Sequence, residues 1–324
     1  MCTAITYETK DHYFGRTLDL ECTYEERVTV TLRNHEFKFR KKGSIKRHYA
    51  MIGMATVVDG YPLYYEAANE EGLAMAALNF PENAYYAPVA EGKDNIAPFE
   101  FIPWILAQCK NLAEARELLT RINLCEEHFS QELPLSPLHW MIADKEGAAI
   151  AVEPLRDGLH IHENPVGVLT NNPTFDYHMT HLSDYRNLTP NPSENRFGNI
   201  ALNIYSRGMG GIGLPGDLSS ASRFVRAAFV KLNSVSGDSE NESVSQFFHI
   251  LGAVEQQRGC ARMPDGSYEI TVYTSCINLD KGIYYYTTYE NRGISAVDMH
   301  QCDLEGEGVY LYPLEKILQI VRQN

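Results

Sequence analysis

The strongest constraint on this chain is the grouping of its secondary-structure signals, in which strands and helices alternate in blocks. Cys2–Tyr7 alternates in polarity and is rich in Thr, Ile and Tyr. After a polar turn at Lys10–Asp11, Tyr13–Leu18 reads as its partner strand, so the two predict a hairpin. Arg27–Leu32 (RVTVTL) alternates strictly. Met51–Val58 and Leu73–Phe80 are apolar runs of strand length, separated by turn-like residues, and suit burial on both faces. Helical signals follow at Phe99–Cys109, with Pro103 near its first turn, and at Leu112–Ile122. Strands return at His139–Ala143, Ala149–Val152 and Val166–Thr170, and Pro173–Leu182 opens a short helix. Thr189–Arg196 is polar and rich in Pro and Asn, as a surface loop is. Ser219–Leu232 predicts a helix with Ser at its start, and Ser243–Gln257 a second. Tyr268–Thr274, Gly282–Tyr289 and Ile294–Met299 are strands again. Such an order predicts an α+β fold with helices layered over packed sheets. No internal repeat, low-complexity tract or dividing linker is visible, so one domain over 1–324 is expected.

Bulk properties narrow the function. Hydrophobic residues are 44% of the 324, enough for a large core, and the net charge is −14. An acidic surface repels nucleic acid and anionic membrane, so neither is expected as a partner. An anionic small molecule would have to be held by local basic or apolar contacts. The cysteine count, seven, is odd and no C-x-x-C occurs, which argues against a zinc ribbon or redox pair. Reduced thiols and a cytoplasmic location are expected. The N-terminus lacks the basic and apolar regions of a secretory signal, and no apolar run suits a membrane span.

Cys2 carries the chemistry. Met1 precedes a small residue, so its removal is expected, leaving Cys2 with a thiol and a free α-amine. An α-amine has a pKa near ~8, against ~10.4 for lysine, so it can accept the thiol proton with no histidine present. The thiolate is a strong nucleophile toward an amide carbonyl. On position alone, a small residue starting a strand is the commoner reading of Cys2. Arg16 and Asp19, in YFGRTLD, lie on the strand expected beside it. A guanidinium near the thiol favours thiolate, and a carboxylate near the amine orients it. An Arg–Asp pair on an exposed edge strand is the alternative.

The opening MCTAITYETKDHYFGRTLDL resembles the N-terminus of the choloylglycine hydrolase family, which contains bile salt hydrolases and penicillin V acylases. NEEGLAMAALNFP, PFEFIPWILAQC, LPLSPLHWMIAD, VGVLTNNPTFDYH, GIGLPGDLSSASRFVRAAF and GIYYYTTYEN continue the resemblance in register over nearly the whole chain. It implies an N-terminal nucleophile hydrolase fold, an αββα sandwich of two antiparallel sheets between helical layers. It also implies an amide hydrolase of intestinal Gram-positive bacteria that cleaves glycine- or taurine-conjugated bile acids and forms homotetramers. No metal or organic cofactor is implied. Cys2 would be the nucleophile and its α-amine the proton acceptor. Arg16 would sit against the thiol and Asp19 would hold the amine. Asn79 would donate to the oxyanion, Asn171 would fix the N-terminal residue, and Arg223 would complete the polar network. Turn positions for the two asparagines and a helix-surface charge for Arg223 remain the alternatives.

Asn79 also bears on substrate class, since the bile salt hydrolases of the family carry Asn there and the penicillin V acylases Tyr. Leu18, Tyr24, Val58, Tyr65, Phe129 and Leu133 match the family's pocket positions, and ordinary core is their alternative. Thr17, Ala77 and Glu82–Asn83 depart from the family's commoner residues and bear on substrate preference. Three readings stay open: a bile salt hydrolase, a penicillin V acylase or broader acyl amidase with the same site, and an inactive steroid- or acyl-binding member of the fold. Other signals carry less. His160 and His162 share one face of a strand but lack a third ligand. Gly208–Gly216 lacks the Lys-Ser/Thr of a phosphate loop. No papain-like or caspase-like signature surrounds Cys125, so His139 reads as a core residue.

Overall fold

A computed structural model describes all residues, Met1–Asn324. Its chain opens with the hairpin of β1 (Cys2–Glu8) and β2 (His12–Leu20), then β3 (Arg27–Thr31) and a small hairpin of β4 (Phe37–Phe39) and β5 (Gly43–Ile45). A meander follows: β6 (Met51–Val58), β7 (Tyr61–Asn69) and β8 (Leu73–Asn79). β9 (Asp94–Ile96), α1 (Phe101–Gln108), α2 (Leu112–Leu119) and β10 (Ile122–Leu124) lead to β11 (Leu138–Asp144), β12 (Ala149–Leu155), β13 (Gly158–Glu163) and β14 (Val168–Leu169). The helices α3 (Phe175–Leu182), α4 (Ser220–Asn233) and α5 (Glu240–Gly252) precede β15 (Ile270–Asn278), β16 (Ile283–Thr288), β17 (Ser295–Asp298) and β18 (Val309–Pro313).

Two antiparallel sheets organise these elements. One has six strands in the order β14-β1-β2-β15-β16-β17, the other eight in the order β13-β12-β11-β8-β7-β6-β3-β18. Strand alternation builds the layers. Ala74, Ala76 and Leu78 of β8 enter the core between the sheets with Ala4 and Phe14. Leu73, Met75 and Ala77, from the other face, pack with Phe101, Ile105 and Leu118 of α1 and α2. Phe224 and Ala227 of α4 and Phe247 of α5 cover the six-stranded sheet. The order of layers is therefore αββα. β8 is apolar on both faces because each face is buried.

Three expectations need correction. The stretch after Val58 is not merely turn-like: Tyr61–Asn69 is a full strand. Its Asp59–Gly60 turn and its internal Glu66 hide the strand pattern, yet Glu66 is fully buried and satisfied across the sandwich. The second helix stops at Leu119, because Ile122–Leu124 pairs in parallel with β9 instead. The helix expected from Ser243 begins earlier, where Ser239 and Glu242 form a capping box. Gly15 is required by contact: a Cβ there would lie 2.1 Å from the Ser275 carbonyl oxygen of the adjoining β15.

Candidate active site

The pleat of β2 divides the polar residues around Cys2. Cys2 pairs with Leu18, Ala4 with Arg16 and Thr3 with Thr17. Side chains at even positions of β2 therefore share the face of the Cys2 thiol, and Thr17 and Asp19 share the opposite one.

On the thiol's face, Arg16 is fully buried between the sheets. Its Nε donates to the Thr17 carbonyl at 3.2 Å, and its Nη1 to the carbonyls of Tyr65, at 3.3 Å, and Ala77. Its Nη2 has no partner within the chain. Glu66 lies 3.8 Å from Nε and accepts from the hydroxyls of Tyr273 at 2.7 Å and Tyr284 at 2.5 Å. Burial disfavours the Arg16 charge, but Cys2, Tyr273, Glu66 and Asp19 together hold its pKa above the ordinary value. Burial raises the Glu66 carboxyl against the pull of Arg16 and the two phenols.

On the opposite face the groups surround the Cys2 backbone. Its nitrogen donates to Asn171 Oδ1 at 2.8 Å. Arg223 of α4, fully buried, donates from Nη1 to the Cys2 carbonyl at 2.6 Å and to Thr3 Oγ1 at 2.7 Å. Its Nη2 donates to Asn171 Oδ1 at 2.7 Å. Asp19 accepts from Thr271 at 2.6 Å and from Thr17 at 3.1 Å, and burial raises its carboxyl. Thr17 Oγ1 also accepts from the Thr3 amide at 3.2 Å, so this position is built into the network. Met1 extends the strand pairing by one residue, and its amine meets Glu269 at 2.5 Å and the Asp19 carbonyl at 2.7 Å. Asn79 ends β8 with its side chain exposed at the cleft, and its carbonyl accepts from Asn171 Nδ2 at 2.7 Å.

The structure thus brings Cys2, Arg16, Asp19, Asn79, Asn171 and Arg223 together from five separate segments. The thiol opens onto a cleft of about 370 Å³. Leu18, Tyr24, Tyr65, Phe129 and Leu133 line it, but Val58 does not. Thr56 reaches the cleft, whereas Val58 pairs with Tyr61 beside the Asp59–Gly60 turn, where the strand has run past the rim. Leu20, Thr56, Leu63, Phe99 and Ile102 also line it and were not singled out from sequence. Their signal is indistinguishable from ordinary core until the loops are placed. Arg40 pins the Phe129 loop: its guanidinium lies 5.8 Å from the Phe99 ring centre and 5.7 Å from that of Phe129, and Nη2 donates to the Phe129 carbonyl at 2.8 Å. Glu66, Thr271 and Glu269 were also missed, because buried polar residues read as surface in a single sequence. No group of three or more His, Cys, Asp or Glu side chains is arranged to hold a metal ion. His160 meets Asp157, and His162 lies between Glu153 and Asp176.

A four-layer αββα sandwich with a cysteine at the head of its first strand defines the class of N-terminal nucleophile hydrolases. Residues 2–312 match the linear amide C-N hydrolases of the choloylglycine hydrolase family, and the chain belongs to that family. It is 51% identical to the bile salt hydrolase/transferase of Lactiplantibacillus plantarum and 40% identical to that of Clostridium perfringens, each over the full length of both chains. A crystal structure of a mutant conjugated bile acid hydrolase from Clostridium perfringens superposes with a TM-score of 0.93 at 38% identity, covering all of both chains.

Proposed function

We propose that this enzyme hydrolyses the amide bond between a bile acid and glycine or taurine, with Cys2 as nucleophile. The observation that carries this reading is the hold on Cys2. Its nitrogen is fixed by Asn171 while its thiol faces an apolar cleft large enough for a rigid steroid. Loss of Met1 turns that nitrogen into a free amine. The amine accepts the thiol proton and sulfur attacks the amide carbon. Arg16 stabilises the thiolate with its unpartnered Nη2. Asn79 donates to the oxyanion that forms. The C–N bond then breaks, the leaving nitrogen takes the proton from the amine, and glycine or taurine departs. Water attacks the thioester, the same amine takes its proton, and the bile acid leaves as the thiol is restored. Asp19 and Arg223 hold the N-terminal residue in register. Because one residue supplies nucleophile and base, no metal or organic cofactor enters.

The acidic rim residues Glu127 and Glu132 do not attract an anionic conjugate, so binding rests on the apolar lining. Asn at position 79 favours bile salts over penicillin V. We further propose a homotetramer that works in the cytoplasm. Exposed Phe197, Ile200, Leu202 and Tyr205 on one loop support association with further copies, and seven cysteines without a disulfide support a reducing compartment. No helix is long and apolar enough to cross a membrane. N-terminal sequencing joined to assays on glycocholate, taurocholate and penicillin V tests the proposal. Active enzyme begins at Cys2, and Cys2→Ala abolishes turnover. Full activity in Cys2→Ala, or in protein that retains Met1, overturns it.

A further inference from the structure

Behind the asparagine that holds Cys2 lies a closed circuit of buried groups that the reaction above does not use. Glu153, His139, Thr170 and His178 have no exposure to solvent. Glu153 Oε1 accepts the amide of Phe175, at the start of α3, at 3.0 Å, and meets His139 Nδ1 at 3.1 Å. The other ring nitrogen of His139 meets the Thr170 carbonyl at 2.9 Å. One residue further, the Asn171 carbonyl meets Nε2 of His178, one turn along α3 from Phe175, at 2.8 Å. The path returns through α3 to Glu153. Each imidazole is also clamped flat. His139 stacks on Phe80 at 4.2 Å, next to Asn79, and His178 stacks on Phe224 at 4.8 Å, next to Arg223.

An ordinary core histidine needs only to satisfy its own polar atoms. These two do something more specific. A carbonyl can only accept, so both Nε2 atoms carry hydrogen, and they donate to two successive carbonyls. His178 leaves its Nδ1 without any partner while keeping that bond. The peptide carrying Asn171 is thereby fixed in rotation, and the side chain of Asn171 has three tasks that depend on it. Its Oδ1 accepts from Cys2 and from Arg223, and its Nδ2 donates to the carbonyl of Asn79.

We infer that His178 and His139 are positioning residues for the hydrolysis. Through the Thr170 and Asn171 carbonyls they aim Asn171, and so register the nitrogen of Cys2 against the oxyanion donor. Neither ring lines the cleft. The inference rests on the proposed role of Cys2 and adds a requirement for a donor at one atom, His178 Nε2.

Two substitutions isolate that atom. His178→Gln can place an amide N–H near the position of Nε2, whereas His178→Asn places it one methylene short. His178→Gln keeps the kcat of the parent enzyme on glycocholate. His178→Asn lowers kcat about 10- to 100-fold, the cost of slight misplacement in a reacting pair, while KM moves less than about threefold. Alkylation of Cys2 by iodoacetamide slows in His178→Asn alone, and both variants unfold at similar urea concentrations. Equal kcat in the two variants, high or low, overturns the inference, as does a loss confined to KM. The parent reading fails separately, if Cys2→Ala remains active.

Discussion

Replacing Arg223 by lysine separates charge from geometry. Lysine keeps the positive charge, so any loss reports the directed hydrogen bonds. Arg223 donates to four acceptors: Leu218 O at 3.0 Å, Cys2 O at 2.6 Å, Thr3 Oγ1 at 2.7 Å and Asn171 Oδ1 at 2.7 Å. A lysine ammonium is a point on a shorter reach and serves one or two of them. The Leu218 and Cys2 carbonyls are then the groups left short. Each hydrogen bond to a charged group contributes about 1.5–3 kcal/mol, so losing two costs about 3–6 kcal/mol. Burial already lowers the Arg223 pKa, so an ammonium there carries the same desolvation with fewer bonds to offset it. Urea unfolding of parent and Arg223→Lys measures the difference, and kcat falls with it because the Cys2 carbonyl loses its donor. An exposed helix charge would tolerate the change within about 0.5 kcal/mol. A measured loss below about 1 kcal/mol refutes the network as described.

Arg40→Ala releases the Phe129 loop from the cleft wall. Two cation–π contacts and one hydrogen bond at an exposed site amount to about 1–2 kcal/mol, so KM for glycocholate rises about 5- to 30-fold with kcat little changed. A KM within twofold of the parent, on steady-state assay, counts against the clamp. Acid stability gives a further test, through His178, whose pKa burial lowers from 6.5 to about 4. The folded protein holds this ring neutral while the unfolded chain protonates it. Stability therefore falls as pH drops from about 6.5 toward 4, by up to about 3 kcal/mol from this group. His178→Gln lacks that share, so its urea stability declines less steeply over the same range. Parallel pH curves for the two proteins contradict the assignment.

How much of this was legible in the sequence depends on the range of the contacts. The β1–β2 hairpin was readable because it is local, and its parity already separates Arg16 from Asp19. The two-faced burial of Leu73–Leu78 was readable from an unbroken apolar run. β7 was not, because a strand is recognised by apolar alternation and Glu66 breaks it. Arg16 of β2 and the hydroxyls of Tyr273 and Tyr284, the last two more than 200 residues away, make that carboxylate acceptable inside the sandwich. Arg223 shows the limit most sharply. Within SASRFVRAAFVKL it is one of two arginines three residues apart on a single helix, with nothing local to rank them. In the fold, Arg223 is buried against the N-terminal strand, while Arg226 remains partly exposed and donates to the carbonyls of Pro215 and Ala253. What separates them is where the helix axis crosses β1, a quantity fixed by the packing of Phe224, Ala227 and Ala228 on the six-stranded sheet. Resemblance over the whole chain pointed to Arg223 because relatives share that crossing, which no window of thirteen residues contains. A site assembled by strand pairing is thus partly written in local parity. A site completed by helix docking is written in the core residues that set the docking, and the polar residue it delivers carries no mark of its own.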